Sequence, residues 1–218
     1  MSNKKKLEIL YEDKYLLIVN KPSNLLTIST EKEKERTLFH YVYDYLKKKN
    51  KNNKVFIVHR LDKDTSGIVM FAKSEEIKFY MQDNWDKIKR NYVAVVNGKV
   101  EKTKDTIKSY LNETKTHFTY SVSDKNGKLA ITEYEKILEN KKYTMLSLNL
   151  KTGRKNQIRV QLADMGNSIV GDKKYGLKSD PIRRMALHAN YIEFIHPKTK
   201  EKIQIDIDIP NSFVNLVS

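Results

Sequence analysis

Two short segments of the chain concentrate the residue types that enzymes use for chemistry. Among 42 basic residues only seven are arginines; Arg60 lies two residues before Asp62, and Arg159 lies in a second polar segment. A guanidinium presents a planar fork to a carboxylate or phosphate, which an ammonium cannot imitate. Five of the seven glycines fall within residues 59–67 and 153–176, and such glycines usually mark positive φ or close backbone approach. We therefore expect an active site built from these two segments.

Asp62 is the candidate nucleophile. It lies with Arg60 in a polar segment between two apolar runs, residues 55–58 and 68–72, which read as buried strands. A carboxylate paired with an arginine stays ionised even when partly buried, and an ionised carboxylate can attack an electrophilic carbon. A structural ion pair that closes the loop explains the same two residues, so this segment alone leaves both interpretations open.

Neither a metal site nor another cofactor is indicated. Asp62 and Asp64 are close in sequence, but the five histidines are scattered and no second cluster has ligand spacing. The chain has no cysteine, which excludes a disulfide framework and a cysteine nucleophile and favours a reducing compartment. We expect a cytoplasmic protein that works without metal or cofactor.

The charge balance indicates a polyanionic partner. Lys and Arg total 42 against 27 acidic residues, a net charge of +15, which creates a field that gathers nucleic acid. A basic surface that serves only solubility is the alternative. No apolar run approaches the length of a membrane span, so we expect neither membrane insertion nor classical secretion.

The elements that would position these residues are mostly strands. Strands are predicted around the turn at residues 12–14, at 55–58, 68–72 and 91–98, over 106–150 with turns at 124–127 and 139–142, and as a hairpin over 189–209. Helices are predicted after the caps Thr37 and Ser74 and over residues 156–165, where Arg159 falls in the first turns. Residues 47–54 are predicted to be a solvated loop, with RNA contact as the alternative. The fold class is α+β with a mixed, mostly antiparallel sheet.

The segment Val58-His-Arg-Leu-Asp-Lys-Asp-Thr-Ser-Gly67 resembles the His-Arg-Leu-Asp-x-x-Thr-Ser-Gly signature of the RluA-type pseudouridine synthases. The similarity continues in the same order through residues 11–22, 91–98, 152–161, 169–176, 187–189 and 196–197. It implies the pseudouridine synthase fold, with flanking helices and a central active-site cleft. It also implies an isomerase that converts uridines of structured ribosomal or transfer RNA into pseudouridine.

The resemblance assigns roles residue by residue. Asp62 matches the catalytic aspartate, and Arg60 matches the arginine that enters the RNA stack when the target uridine flips out. Tyr92 matches the active-site tyrosine, which stacks on the uracil and is a candidate base for the C5 proton. Arg159 matches the arginine that pairs with the catalytic carboxylate. Without the resemblance, Tyr92 would be interpreted as a core residue, as most tyrosines in strands are. Arg159 would be interpreted as a contact to an RNA phosphate.

Five further residues are expected to bind substrate: Thr65, Gly67, Arg154, Ile158 and Leu187. Among them, Arg154 would shape the turn into the helix, whereas Ile158 and Leu187 would form pocket wall.

The chain departs from the family pattern at two places. The usual Pro-x-Gly is Pro22-Ser-Asn24, and the histidine often seen before Gln-Ile-Arg is Asn156, and both could alter loop shape or RNA preference. Many relatives carry an N-terminal S4-type RNA-binding module, which we do not expect here. We predict a single catalytic domain over residues 1–218, acting as a monomer, whose own basic surface recognises RNA.

Two other functions remain open at this stage. One is a non-catalytic RNA-binding protein that keeps the fold, against which the intact set of Asp62, Arg60, Tyr92 and Arg159 argues. The other is a hydrolytic glycosylase, in which water intercepts the sugar and free base is released. For the isomerase itself, covalent attack by Asp62 and elimination at the ribose are both compatible with the sequence.

Overall fold

The computed structural model describes residues 7–31, 33–123, 126–182 and 184–218. The strands in these residues are β1 (Glu8–Glu12), β2 (Leu16–Lys21), β3 (Phe56–Ile57), β4 (Ser66–Ala72), β5 (Lys89–Asn97), β6 (Lys104–Glu113), β7 (Thr119–Val122), β8 (Lys128–Glu139), β9 (Tyr143–Leu150), β10 (Leu187–Ile195) and β11 (Lys202–Asp206). The α-helices are α1 (Leu38–Lys49), α2 (Glu75–Asp83), α3 (Gln157–Asp164) and α4 (Asn211–Val217). The predicted α+β class with mostly antiparallel strands is confirmed.

The chain divides into two units, one ending at Ile88 and completed by Ile192–Ile207, the other formed by Lys89–Tyr191 and Asp208–Ser218. The single catalytic domain stays a prediction, and each unit is described by itself.

The first unit is organised by β2 and β4, which pair antiparallel from Leu16↔Ala72 to Lys21↔Gly67. Nearly every residue of both strands is buried, as expected of strands covered on both faces. The predicted turn between β1 and β2 is confirmed, because Asp13 Oδ1 accepts hydrogen bonds from the backbone N–H groups of residues 15 and 16 at 2.7 and 2.6 Å. The strand predicted over 55–58 is shorter than expected, since β3 contains two residues.

Both predicted helix caps of this unit are present. The Thr37 side chain accepts from the backbone N–H of residue 40, and the Ser74 side chain accepts from that of residue 77. Helix α1 buries a stripe of leucine and valine. It continues through Lys49, so the prediction of a loop from residue 47 was wrong for the first three residues. Lysines suit the end of a helix because its last carbonyl groups carry partial negative charge.

The second unit is an antiparallel sheet in the order β5-β9-β8-β6-β7. The predicted turn at 139–142 is confirmed, because Asn140 Oδ1 accepts from the backbone N–H groups of Lys142 and Tyr143, both at 2.9 Å. The predicted turn at 124–127 includes residues 124 and 125, which lie outside the described residues.

Helix α3 confirms the helix predicted over 156–165. Its residues 157–162 are all buried, so it is a core helix rather than an amphipathic surface helix. Gly166, at φ +80°, follows its C-terminus, where a left-handed residue commonly ends a helix.

The C-terminal hairpin was predicted correctly, but its second strand is shorter than expected and ends at Asp206. Helix α4 then follows Pro210 and was missed. Its Phe213 and Val217 are buried in the core of the second unit.

Candidate active site

The backbone on both sides of Asp62 is held by hydrogen bonds within the first unit. Thr27 Oγ1 donates to the Leu61 carbonyl at 2.7 Å and accepts from the Leu61 N–H at 3.2 Å. The Asp62 carbonyl accepts from the Thr65 N–H at 3.2 Å, which closes a turn. Asp62 itself is half-buried. A half-buried carboxylate on an anchored loop is the arrangement that a positioned nucleophile requires.

A buried lysine holds this loop by hydrogen bonds to its backbone. The Lys21 side chain is fully buried at the end of β2, and its ammonium donates to the carbonyl oxygens of Pro22, Leu25 and Lys63 at 3.1, 2.7 and 3.0 Å. Burying an ammonium is costly unless acceptors surround it. Lys21 therefore ties the segment after β2 to the residue that follows Asp62. Lys21 was not predicted to have this role, although a lysine at the end of an apolar strand is a detectable signal in the sequence.

The other residues of the first segment differ in exposure. Arg60 is exposed, whereas Thr65 and Gly67 are buried. Gly67 has φ +117°, a conformation that L-residues rarely adopt. His59 accepts the Met70 N–H through Nε2 at 3.0 Å, so its ring serves to hold the loop against β4.

Arg159 forms a bidentate ion pair in the second unit. Its Nε donates to Asp172 Oδ2 at 2.8 Å and its Nη2 to Asp172 Oδ1 at 2.7 Å, and Nη1 donates to Asn156 Oδ1 at 3.0 Å. Arg159 is 7% exposed and Asp172 is 2% exposed. Two parallel hydrogen bonds between a guanidinium and a carboxylate fix the plane of the guanidinium and the position of its positive charge.

Asp172 is ionised in this environment. Burial raises the pKa of Asp172, but hydrogen bonds and charge from Arg159 and the backbone N–H groups of Lys174 and Tyr175 outweigh burial and hold the pKa below its ordinary value. The two N–H groups reach Oδ1 at 2.8 and 3.2 Å. The glycine-rich segment around Asp172 was predicted to belong to the site, but no role was predicted for Asp172 itself.

A second layer supports the ion pair. The Arg159 guanidinium carbon lies 5.2 Å from the centre of the Tyr175 ring, and the Tyr175 hydroxyl donates to the Thr119 carbonyl at 3.0 Å. Asn156 Nδ2 donates to the Tyr175 and Thr119 side-chain oxygens, both at 3.3 Å. Asn156, the departure from the usual histidine, therefore contacts Arg159 with its oxygen and Tyr175 with its nitrogen.

The turn into α3 is fixed by Gln157. Its Oε1 accepts from Thr152 Oγ1 at 2.7 Å and from the Arg154 N–H at 2.9 Å. Arg154 is exposed, and its Nε donates to the Leu129 carbonyl at 2.9 Å. These hydrogen bonds are consistent with the predicted role of Arg154 in shaping the turn. Its contact with substrate stays a prediction.

Three predicted residues share one hydrophobic core of the second unit: Ile158 and Leu187 are buried in it, and Tyr92 is half-buried against it. Tyr92 lies on β5, paired with Leu148 on β9. The structure thus gathers Tyr92, Ile158 and Leu187. The pairing of Arg159 with Asp62 stays a prediction, as do the catalytic and substrate-binding roles of all these residues.

In the described part of the chain, no three His, Asp or Glu side chains converge in a way that would hold a metal ion. Along the described ranges, none of the helices combines the length and apolar character needed to cross a bilayer.

Solved structures identify the fold. The chain is similar to human RNA pseudouridylate synthase domain containing 4, with a TM-score of 0.79 and 20% identity over 95% of this chain and 90% of that one. It is similar to human RNA pseudouridylate synthase domain containing 1, with a TM-score of 0.76 and 23% identity over 95% of this chain and 85% of that one. The described residues therefore have the pseudouridine synthase fold, as predicted.

Sequence comparison identifies the family. The family model described as RNA pseudouridylate synthase matches residues 15–164. The chain is 36% identical over 214 residues to the uncharacterized RNA pseudouridine synthase YhcT of Bacillus subtilis, covering 96% of this chain and 71% of the relative. It is 32% identical over 222 residues to ribosomal large subunit pseudouridine synthase D of Nitrosomonas europaea, covering 97% and 64%. The chain belongs to the RluA-type RNA pseudouridine synthase family, whose members isomerise uridine to pseudouridine in RNA, and the predicted enzyme class is confirmed.

Proposed function

We propose that this enzyme uses Asp62 to isomerise flipped uridines in loops of large-subunit ribosomal RNA. Isomerisation breaks the bond between N1 and C1′, turns the uracil, and joins C5 to C1′. The C5 proton leaves and N1 gains one, so no atom is added or lost overall. The observation that carries the assignment is the half-buried Asp62 on a backbone that Thr27, Thr65 and Lys21 hold in place.

Asp62 acts at the ribose. Its carboxylate either attacks C1′ directly or promotes elimination of the uracil, and both routes require the carboxylate to be ionised and fixed relative to the sugar. We assign Arg159 as the partner of that carboxylate during the reaction. The bidentate contact to Asp172 supports this role, because a guanidinium whose plane is already fixed loses little freedom when it engages a further acceptor.

Arg60 and Tyr92 act on the flipped nucleotide. Flipping costs a few kcal/mol and least where the base is already unpaired, which favours loop uridines. The exposed Arg60 guanidinium is available to fill the space that the base leaves in the RNA stack. Tyr92, held at the edge of the core, stacks on the uracil and is the candidate acceptor of the C5 proton.

The substrate assignment rests on the relatives. Among them are proteins named ribosomal large subunit pseudouridine synthases D and C, which supports ribosomal RNA, with transfer RNA as the second substrate to test. The net charge of +15 supports direct binding to a long polyanion. We propose that the protein acts in the cytoplasm as a monomer, with its own surface contacting the RNA.

The test compares Asp62→Asn with Asp64→Asn. Both residues lie in the same loop, both are half-buried, and both substitutions remove one carboxylate charge. Total RNA from a strain that lacks the gene is incubated with each protein, and pseudouridine is mapped by carbodiimide-dependent stops of reverse transcription. New stops with wild type and Asp64→Asn, but none with Asp62→Asn, are expected.

The positions of the reverse-transcription stops also identify which RNA is the substrate. Stops in transfer RNA alone would contradict the substrate assignment but keep the chemistry. No stops with wild-type protein, together with tight RNA binding, would support the non-catalytic RNA-binding protein instead.

A further inference from the structure

We propose that the outer side of α1 is an RNA-docking surface, separate from the residues that carry the chemistry. We call it the α1 basic face and define it as Phe39, Tyr43, Lys47, Lys48 and Lys51. Its ligand is the phosphate backbone of RNA, bound by charge rather than by base sequence. The inference rests on the proposed RNA substrate, and its test is arranged so that the two can fail separately.

The helix separates a buried side from this face. Leu38, Val42 and Leu46 form the buried stripe, each at most 1% exposed. Lys48 and Lys51 are exposed, and the Tyr43 side chain between them and Phe39 is 41% exposed. An aromatic ring left in water on a charged face is a feature of surfaces that contact a partner.

The aromatic residues pre-orient one lysine. Phe39 and Tyr43 stack with ring centres 6.4 Å apart, and Lys47 Nζ lies 5.4 Å from the centre of the Tyr43 ring. Lys47 also donates to the Lys51 carbonyl at 2.7 Å. Because the Lys47 ammonium is already held by the Tyr43 ring and the Lys51 carbonyl, its side chain loses less freedom when it binds a phosphate oxygen.

The lysines are not consumed by internal ion pairs. Lys49, on the neighbouring side of α1, is engaged by Glu12 at 2.8 Å and has a structural role. By contrast, Lys48 and Lys51 form no ion pair within the described ranges of the chain. The only acid of the helix, Asp44, faces His40 at 3.7 Å.

The shape of the surface fits an extended polyanion. Residues 44 and 47–51 line a shallow depression of about 610 Å³ at the end of α1. Stabilisation of the helix C-terminus explains lysines in its last turn, but it does not explain Lys51 beyond the helix or the exposed Tyr43 ring. Charge complementarity therefore favours RNA as the occupant.

The test compares two triple variants of equal charge. K47Q/K48Q/K51Q removes the α1 lysines, and K99Q/K141Q/K142Q removes three exposed lysines from turns of the second unit. Binding to in-vitro-transcribed large-subunit ribosomal RNA is measured from 0.05 to 0.5 M salt, beside pseudouridine formation on the same RNA. Unchanged melting temperatures would verify folding of both variants.

The α1 variant is expected to bind about 10- to 100-fold more weakly at about 0.1 M salt, with a slope of log K against log salt shallower by about 2, since each phosphate contact releases about 0.7 counterion from single strands. Its KM should rise by the same factor while kcat is retained. Tyr43→Leu should weaken binding by about two- to fivefold by freeing Lys47.

Equal losses in both triple variants would show an effect of net charge alone and overturn the docking surface. Unchanged binding by the α1 variant would also overturn it. If wild-type protein binds this RNA without modifying it, the proposed substrate fails, while the binding comparison still decides the docking surface.

Discussion

Replacing Asp172 with asparagine should damage both stability and catalysis. The substitution keeps the shape and one acceptor oxygen, so hydrogen bonds to Oδ1 from Arg159, Lys174 and Tyr175 can persist. It turns the other oxygen into an amide nitrogen that faces the Arg159 Nε–H, where two donors oppose each other. The guanidinium of Arg159, which is 7% exposed, then lacks the negative charge that Asp172 supplies in the wild type.

The expected magnitude follows from that geometry. Breaking a buried ion pair on one side costs about 3–5 kcal/mol, a large part of the ~5–15 kcal/mol that stabilises a typical domain. Because Arg159 loses its fixed plane, kcat should fall by roughly 100-fold with a smaller change in KM. Urea unfolding followed by circular dichroism gives the first number, and steady-state pseudouridine formation gives the second.

Glu133→Gln is the matched control. Glu133 pairs with Lys151 at 3.0 Å, but both side chains are exposed, at 44% and 47%. Exposed pairs contribute about 0–1 kcal/mol, so this variant should resemble wild type in both assays. If Asp172→Asn also stays within about 1 kcal/mol of wild type and keeps its kcat, the argument that Asp172 positions Arg159 is refuted.

Three further predictions concern the first unit. Burial raises the pKa of Glu12, but Lys49, Lys73 and Tyr45 outweigh it and lower the pKa from 4.5 to about 2. The ionised Glu12 carboxylate should therefore stabilise the fold above about pH 4.5, and this stabilisation should be lost as the pH falls toward 2. Glu12→Gln should make the free energy of unfolding less dependent on pH over that range. An unchanged acid transition would contradict this. Gly67→Ala forces a Cβ into φ +117° and should cost more than about 1 kcal/mol in urea unfolding; a neutral effect would show that the turn relaxes. Lys21→Met leaves the backbone carbonyls of Pro22, Leu25 and Lys63 without the ammonium that donates to them. It should lower kcat more than it raises KM, a split that a loss of RNA affinity alone would not produce.

Local signals in the sequence were sufficient for much of the fold. Thr37 and Ser74 were identified as caps because their side chains bond within three residues, and the turn at 139–142 was identified because Asn140 does the same. Helix α4 was missed because it has only seven residues, too few to show a helical repeat of apolar positions. Its buried residues Phe213 and Val217 are recognisable as core only once the sheet that they cover is known. Pro210 just before it was the available signal.

The contacts around Arg159 were only partly predictable from the sequence. Arg159 was predicted to pair with Asp62, and that pairing stays a prediction. Its contact with Asp172 was not predicted, because it depends on the fold of the glycine-rich segment between the two residues. A Cβ on Gly171 would lie 2.2 Å from the Arg184 carbonyl oxygen, and one on Gly176 would lie 2.5 Å from the Asp172 carbonyl oxygen. The sequence indicates that these glycines permit a close approach, but not which backbone approaches them.

The central claim is that Asp62 isomerises uridine rather than merely binding RNA or releasing its base. Tritium release from ribosomal RNA labelled with [5-³H]uridine tests it most directly, because only joining C5 to C1′ expels that hydrogen into water. We predict that wild type and Asp64→Asn release tritium in proportion to the pseudouridine formed, and that Asp62→Asn releases none. Release by Asp62→Asn at the wild-type rate would contradict the account, as would tritium that stays in free uracil beside abasic RNA.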